Sequence, residues 1–505
     1  MSDAAKPRSN VLLISTDHWP AHLLGIAGHP VIQTPGLDEL ARCGIRFTNA
    51  TTECPVCIPA RRTLHTGTTP RTHGDRIYKE KLTMPDVPTL AGTFRNAGYQ
   101  AYAVGKLHVF PQRNRIGFDD VLLDEEGRTM YGVTDDYELY LGDQGLAGRQ
   151  YLHGMPNNDY SIRPWHLAEE HHATNWATRA MTRTIKRRDP TRPSFWFLSY
   201  RHPHPPIVPL QAYLDLYRNA EIDPPKQGAW CSDGTQNTHA IAGSRYKGSK
   251  FTPTQVLEIR RAFYALCTHI DHQIRVLVGT LREEGILDDT IICFTSDHGD
   301  MIGTHQMWAK RMLYHSSVNV PMILVGRRGD PRVPEGVVDD RIVGWQDIMP
   351  TLLDLCGIET PKSVEGMSMV GDRKRDHLYL EVGEDDHASR AITNGTHKLI
   401  YYPVGNRCQL FDIRNDPDEC TDLAGDKSLA GLQAELQALL IRQLYGGDEA
   451  WVKDGRLVGK PHKPFLPGGN RSFSAQRGDH WPPPPVTNIP QIEWNPEKAA
   501  PAVRQ

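Results

Sequence analysis

The chain has 505 residues, 39% of them apolar, a formal net charge of −3 and nine cysteines. That length predicts a large domain with a smaller companion, and the near-neutral charge gives no case for a nucleic-acid or anionic-membrane partner. No run reaches the roughly 20 apolar residues of a membrane span, and an odd number of scattered cysteines does not read as a disulfide framework. Residues 1–10 are polar and the apolar run at 11–14 is too short for a signal segment, so the expected location is the cytoplasm.

In chain order, residues 10–16 (NVLLIST), 194–200 (SFWFLSY) and 290–296 (TIICFTS) are short apolar runs. Each reads as a strand buried on both faces, as in a parallel sheet covered by helices. The strongest helical pattern spans residues 254–284, where Val256, Ile259, Phe263, Leu266, Ile270, Ile274, Leu277 and Leu281 recur at three- and four-residue steps before Gly285. Strands alternating with helices predict an α/β fold: a large, mostly parallel sheet sandwiched by helices. Ligands of such sheets bind beyond the carboxyl ends of the strands. Asp17 follows the first run, His202 and His204 the second, Asp297 and His298 the third. Beyond residue 375 the runs turn short and β-rich, predicting a smaller antiparallel sheet, with an amphipathic helix over 429–444. The expected division is a catalytic domain at 1–375, a small α+β subdomain at 376–445 and a Pro-rich extended tail at 446–505, a route to homo-oligomers.

Cys54 and Cys57 form a CxxC pair, which invites a redox or zinc reading. No second CxxC or nearby His pair completes a zinc site, and the context is not thioredoxin-like. Cys57 also opens the run Cys57-Ile58-Pro59-Ala60-Arg61, with Thr66-Gly67 following. Elsewhere stand Gly105-Lys106-Leu107-His108, Pro203-His204-Pro205, Thr295-Ser296-Asp297-His298-Gly299-Asp300 and Trp308-Ala309-Lys310. Each is weak alone, since most lysines are solvated and Asp-His-Gly suits a turn. In this order, with residues 10–25, 345–357 and 409–423, they resemble the sulfatase family over residues 10 to 424.

That resemblance implies that Cys57 is oxidised to formylglycine by a formylglycine-generating enzyme. The hydrated aldehyde is a geminal diol: one hydroxyl attacks sulfur to give a covalent sulfo-enzyme, and the second expels sulfate as the aldehyde reforms. It further implies a divalent metal, Ca²⁺ ahead of Mg²⁺ or Mn²⁺, held by Asp17, residue 57, Asp297 and His298. Arg61 would stabilise the anionic hydroxyl, and Lys106 and Lys310 would clamp the sulfonate oxygens. His204, or Lys310, would protonate the leaving oxygen, and His108 would take the proton of the second hydroxyl. The expected substrate is a small-molecule aryl or alkyl sulfate. The alternative is a phosphonate monoester or phosphodiester, which carries the same single charge; a non-catalytic binding protein is a third reading that the intact residue set disfavours. The sequence departs from the family pattern at His18, where many sulfatases have a second Asp, and the position is open between ligand, supporting group or neither. Asp135, Asp136 and Arg201 are candidates for recognising a polar group of the substrate.

Overall fold

A computed structural model describes residues 9–127, 134–231 and 238–466. Its strands in chain order are β1 (Asn10–Thr16), β2 (Ile45–Thr51), β3 (Gln100–Gly105), β4 (Asp120–Leu123), β5 (Ser194–Ser199), β6 (Thr290–Ser296), β7 (Met322–Val325) and β8 (Val337–Gly344). These eight form one sheet in the order β4-β3-β5-β1-β6-β7-β2-β8. Neighbours are parallel, except that β7 runs antiparallel to β6 and β2.

β1, β5 and β6 are buried along their whole length. Alternate side chains feed two apolar layers: Leu12, Leu198 and Phe294 face one, Val11, Phe197 and Cys293 the other. The first layer is closed by the helices Ala173–Lys186 and Pro253–Glu283, the second by Cys57–Thr66 and Ile348–Leu355. An apolar run without alternation is therefore the mark of a strand covered on both sides. The long helix begins at a capping box, in which Thr252 accepts from Gln255 N and the Gln255 side chain returns to the Thr252 N–H. Pro253 suits its first turn, and Gly285, at φ +68°, follows its end.

The smaller sheet expected beyond residue 375 is present. β9 (Leu378–Val382), β10 (Ser389–Thr393), β11 (His397–Tyr402) and β12 (Arg407–Asp412) are antiparallel neighbours. Leu436 and Leu440 of the helix Ala430–Gln443 pack against Ile392, Leu399 and Leu410. The expectation of an extended chain from 446 does not hold for its first residues. Gly446–Trp451 is a 3-10 helix, and Trp451 is buried in the same small core. Residues 467–505, the rest of the stretch read as a tail, lie outside the described residues. Among the described residues no helix is long and apolar enough to cross a membrane.

Candidate active site

Four adjacent parallel strands, β3-β5-β1-β6, end at one rim. Lys106 follows β3, His204 the loop after β5, Asp17 β1, and Asp297 with His298 β6. The three strand ends read from the sequence therefore converge, and β3 adds a fourth. Gly105 permits the approach: at φ +104°, a Cβ there would lie 1.9 Å from Ser199 O of β5.

Cys57 is the first residue of the helix Cys57–Thr66, all of which is buried. No side chain caps this N-terminus, so its free N–H groups and the helix dipole favour negative charge at residue 57. Cys57 Sγ lies 3.0 Å from Lys310 Nζ, 3.2 Å from His298 Nε2 and 3.6 Å from Asp17 Oδ1. One turn along the helix, Arg61 is fully buried. It donates to Asp297 Oδ2 at 3.0 Å, and to Lys106 O and Ser199 Oγ at 2.6 Å each. Arg61 thus ties together the loops carrying three of the site residues. Cys54 belongs elsewhere: it packs with Met301 and Tyr314 in an apolar cluster.

Asp17, Cys57, Asp297 and His298 bring their ligand atoms within 4.8 Å of one another. Asp297 Oδ1 is buried without a hydrogen-bond partner. His298 Nδ1 meets Gly299 O at 2.9 Å, which leaves the Nε2 lone pair facing Cys57 and Asp17. Two carboxylates and one imidazole, with residue 57 as the fourth position, suit a divalent cation. Burial and Asp17 push the Asp297 carboxyl up to about 6, against the pull of His298 and Arg61. Burial raises the Asp17 carboxyl, but the surrounding cations, Lys106 first, outweigh it and hold the group well below its ordinary range. The Cys57 thiol behaves likewise: burial and Asp17 raise it, and Lys310, Lys106 and His298 bring it well below the usual thiol value. Lys106 and Lys310 thus favour the ionised forms of Asp17 and Cys57.

Lys106 Nζ bonds both Asp17 and Glu126. Lys310 Nζ donates to His18 Nε2 at 2.7 Å as well as to Cys57. His18 Nδ1 meets Asp300 Oδ2 at 2.5 Å, and Asp300 also accepts from Tyr160 OH. His18, left open by the sequence, is therefore engaged by Asp300 on one side and Lys310 on the other. His204 is buried, with Nδ1 against Pro205 O at 2.5 Å and Nε2 without a hydrogen-bond partner. Burial, with Lys310 and Lys106, holds it well below the ordinary imidazole value although Glu126 opposes this, so it is neutral. The backbone N–H groups of Leu107 and His108 both donate to Glu125 Oε1 at 2.9 Å, and the His108 ring lies 3.6 Å from Glu125 Oε2.

Glu125, Glu126 and Ser199 were not found from the sequence; two adjacent acids in a loop and a serine at a strand end carry no motif. Asp135, Asp136 and Arg201 prove to be occupied otherwise. Asp135 caps the helix Asp136–Asp143, Asp136 pairs with Arg113 at 2.6 Å, and Arg201 pairs with Asp124 at 3.1 Å.

Fold and site together define an α/β protein with a buried, densely charged centre at the carboxyl ends of four parallel strands, around Cys57. The chain belongs to the sulfatase family, the sulfuric ester hydrolases of the alkaline phosphatase superfamily. The Sulfatase family profile matches residues 9–358, and the profile "N-sulphoglucosamine sulphohydrolase, C-terminal" matches residues 303–445. An arylsulfatase of Clostridium perfringens is 31% identical over 469 residues, covering 89% of this chain and 97% of its own. A choline-sulfatase of Rhizobium meliloti is 29% identical over 461 residues, covering 83% and 82%. The phosphonate monoester hydrolase of Agrobacterium radiobacter shares the fold, with a TM-score of 0.74, 23% identity, and 88% of this chain and 98% of that chain covered.

Proposed function

We propose that the chain hydrolyses aryl or small alkyl sulfate monoesters at residue 57, after oxidation of Cys57 to formylglycine by a formylglycine-generating enzyme. The observation that carries this reading is the placement of Cys57 at a helix start, within 3.6 Å of Asp17, His298 and Lys310. Asp17, residue 57, Asp297 and His298 would hold the divalent metal, with Ca²⁺ expected ahead of Mg²⁺ or Mn²⁺. When bound, the metal would polarise the ester and lower the pKa of the hydroxyl at residue 57. Lys106, anchored between Asp17 and Glu126, and Lys310 hold the sulfonate oxygens. Arg61 fixes Asp297 and the Lys106 loop and adds positive charge beside the nucleophile. Proton delivery to the leaving oxygen falls to Lys310. A neutral His204 with Nδ1 engaged by Pro205 has no proton to offer at Nε2, and it serves as an acceptor towards the substrate. His108, set against Glu125, accepts the proton of the second hydroxyl as sulfate leaves.

Mass spectrometry of the peptide holding residue 57, from protein made with the maturation enzyme, tests the nucleophile. The expected result is the mass loss of Cys-to-formylglycine conversion, with Cys57→Ala reducing 4-nitrophenyl sulfate hydrolysis to background. Full activity in Cys57→Ala would refute catalysis at this residue.

A second reading, hydrolysis of phosphonate monoesters or phosphodiesters at the same site, is favoured by the replacement of one acidic ligand candidate by His18. Parallel rates on 4-nitrophenyl sulfate and 4-nitrophenyl phenylphosphonate rank the two. A large excess on the phosphonate would put the second reading first.

A further inference from the structure

A second group of ligand atoms overlaps the first. Asp17, His18, Cys57 and His204 also bring one ligand atom each within 4.8 Å of one another, and all four residues are buried. The two groups share Asp17 and Cys57. The second replaces Asp297 and His298 by two imidazoles, one following β1 and one in the loop after β5. The His18 and His204 rings meet edge to face, with centroids 4.5 Å apart. Each has its Nδ1 on an oxygen outside the group: His18 on Asp300 Oδ2 and His204 on Pro205 O, at 2.5 Å each. Metal-binding imidazoles are oriented in this way, with one nitrogen fixed by a carboxylate or a carbonyl and the lone pair of the other left for the ion. His18 Nε2 lies 3.7 Å from Asp17 Oδ1. His204 Nε2 is buried without a hydrogen-bond partner among the described residues. A cation already stands here: Lys310 Nζ donates to His18 Nε2 at 2.7 Å and to Cys57 Sγ at 3.0 Å, bridging two of the four ligand atoms.

We propose that the folded chain with Cys57 still a thiol holds a borderline-soft divalent cation, Zn²⁺ first, through Cys57 Sγ, His18, His204 and Asp17, beside the position expected for a hard ion at Asp17, Asp297 and His298. One thiolate, two imidazoles and one carboxylate make a four-coordinate set of the kind zinc takes, at about 2.3 Å for sulfur and about 2.0–2.1 Å for nitrogen. Nitrogen and sulfur donors favour such an ion over calcium. The other position offers one imidazole fewer, and Asp297 Oδ2 there already accepts from Arg61 at 3.0 Å. Binding breaks the S–H bond of Cys57, whose proton leaves to solvent, and forms a metal–sulfur bond; nothing is oxidised or reduced. The ion takes the place of the Lys310 ammonium, which withdraws on its flexible stem. Chains whose cysteine escapes oxidation therefore end in a zinc-bound form with Lys310 displaced. The inference concerns the unmodified cysteine and needs no turnover, so it stands or falls apart from the sulfate-ester reading.

The full chain made without the maturation enzyme, its thiol verified by mass and its metals removed by chelator, is titrated with Co²⁺ and then with Zn²⁺. The expected result is a near-ultraviolet sulfur-to-cobalt band with visible bands of tetrahedral intensity, bleached by stoichiometric Zn²⁺ and unaffected by a large excess of Ca²⁺. Cys57→Ser should abolish the sulfur band. His18→Gln and His204→Gln should each weaken Zn²⁺ binding at least by the roughly 10–100-fold that loss of an outer partner of a metal ligand costs, and Asp297→Asn should weaken it far less. Lys310→Met should tighten binding, because no ammonium has to leave. X-ray absorption by the zinc-loaded parent protein counts the ligands without any variant, and one sulfur with two imidazoles is expected. Absence of the sulfur band, a single imidazole, or binding that survives in His18→Gln and His204→Gln but not in Asp297→Asn would overturn the site. Unchanged or weaker binding in Lys310→Met would place the ion away from Lys310 and overturn it as well.

Discussion

Glu126 shows how a single side chain sets the state of the centre. Its backbone is left-handed, at φ +59°, and its carboxylate bonds Lys106 Nζ and lies 3.6 Å from His204 Nδ1. Lys106 therefore divides its charge between Glu126 and Asp17. Glu126→Gln removes one of these acids and leaves Asp17 as the stronger partner of Lys106, in competition with a metal at Asp17. The expected result is a loss of about 10–100-fold in metal affinity and in kcat/KM, read by metal titration and steady-state kinetics; unchanged metal affinity would refute it. Glu126 also marks the limit of what the sequence conveyed at this scale. Cys57, Lys106, His204, Asp297 and Lys310 each stood in a short run with a recognisable neighbour, and the structure gathers them. Glu126 stands in a loop with no such run, and its part depends on a left-handed turn that brings it back under Lys106. His18 was visible only as a departure from a pattern, because its partners Asp300 and Lys310 lie more than 280 positions away.

The segment joining β2 to the Cys57–Thr66 helix is held through Glu53. Its Oε1 accepts from Gln346 N at 3.2 Å, and its backbone O accepts from Glu381 N of β9 at 2.9 Å. Burial, with Asp347, pushes the Glu53 carboxyl from 4.5 up to about 8. Between those values the unfolded chain has released a proton that the folded chain keeps. This contribution to stability is therefore full below pH about 4.5 and is lost progressively as pH rises through about 8. Glu53→Gln should lose less stability than the parent between pH about 5 and 8, measured by denaturant unfolding at several pH values; parallel profiles would contradict it. Legibility differed among the elements for a related reason. β1, β5 and β6 could be read because burial on both faces leaves an unbroken apolar run. β8 could not, because its first half, with Asp339, Asp340 and Arg341, is partly exposed and its apolar residues come only at the end. β7 has only four residues, too few for a period to show.

The large and small sheets are clasped by a buried charge cluster. Asp448 accepts from Arg76 at 2.7 and 3.1 Å and from Arg390 at the same two distances, and Arg76 also reaches Glu381 at 3.2 Å. Arg76 belongs to the loop after the Pro70–His73 helix, whereas Arg390 is in β10 and Asp448 follows the small domain's helix. Asp448→Ala leaves two guanidinium groups short of their shared acid and should cost about 3–5 kcal/mol, measured by denaturant unfolding; a loss under about 1 kcal/mol would show that Glu381 compensates. The enclosure of residue 57 has a consequence in time rather than in energy. Cys57 is 1% exposed, at the base of a helix buried throughout, in a chain whose first and sixth strands must pair before Asp17 and Asp297 meet beside it. Once those strands have closed, a second protein has no route to the sulfur. The oxidation proposed for Cys57 therefore has to run on the nascent or unfolded chain, and each molecule has one opportunity to become active. Chains that fold first are expected to stay thiols, and adding the maturation enzyme afterwards should convert them only if they are unfolded and refolded in its presence.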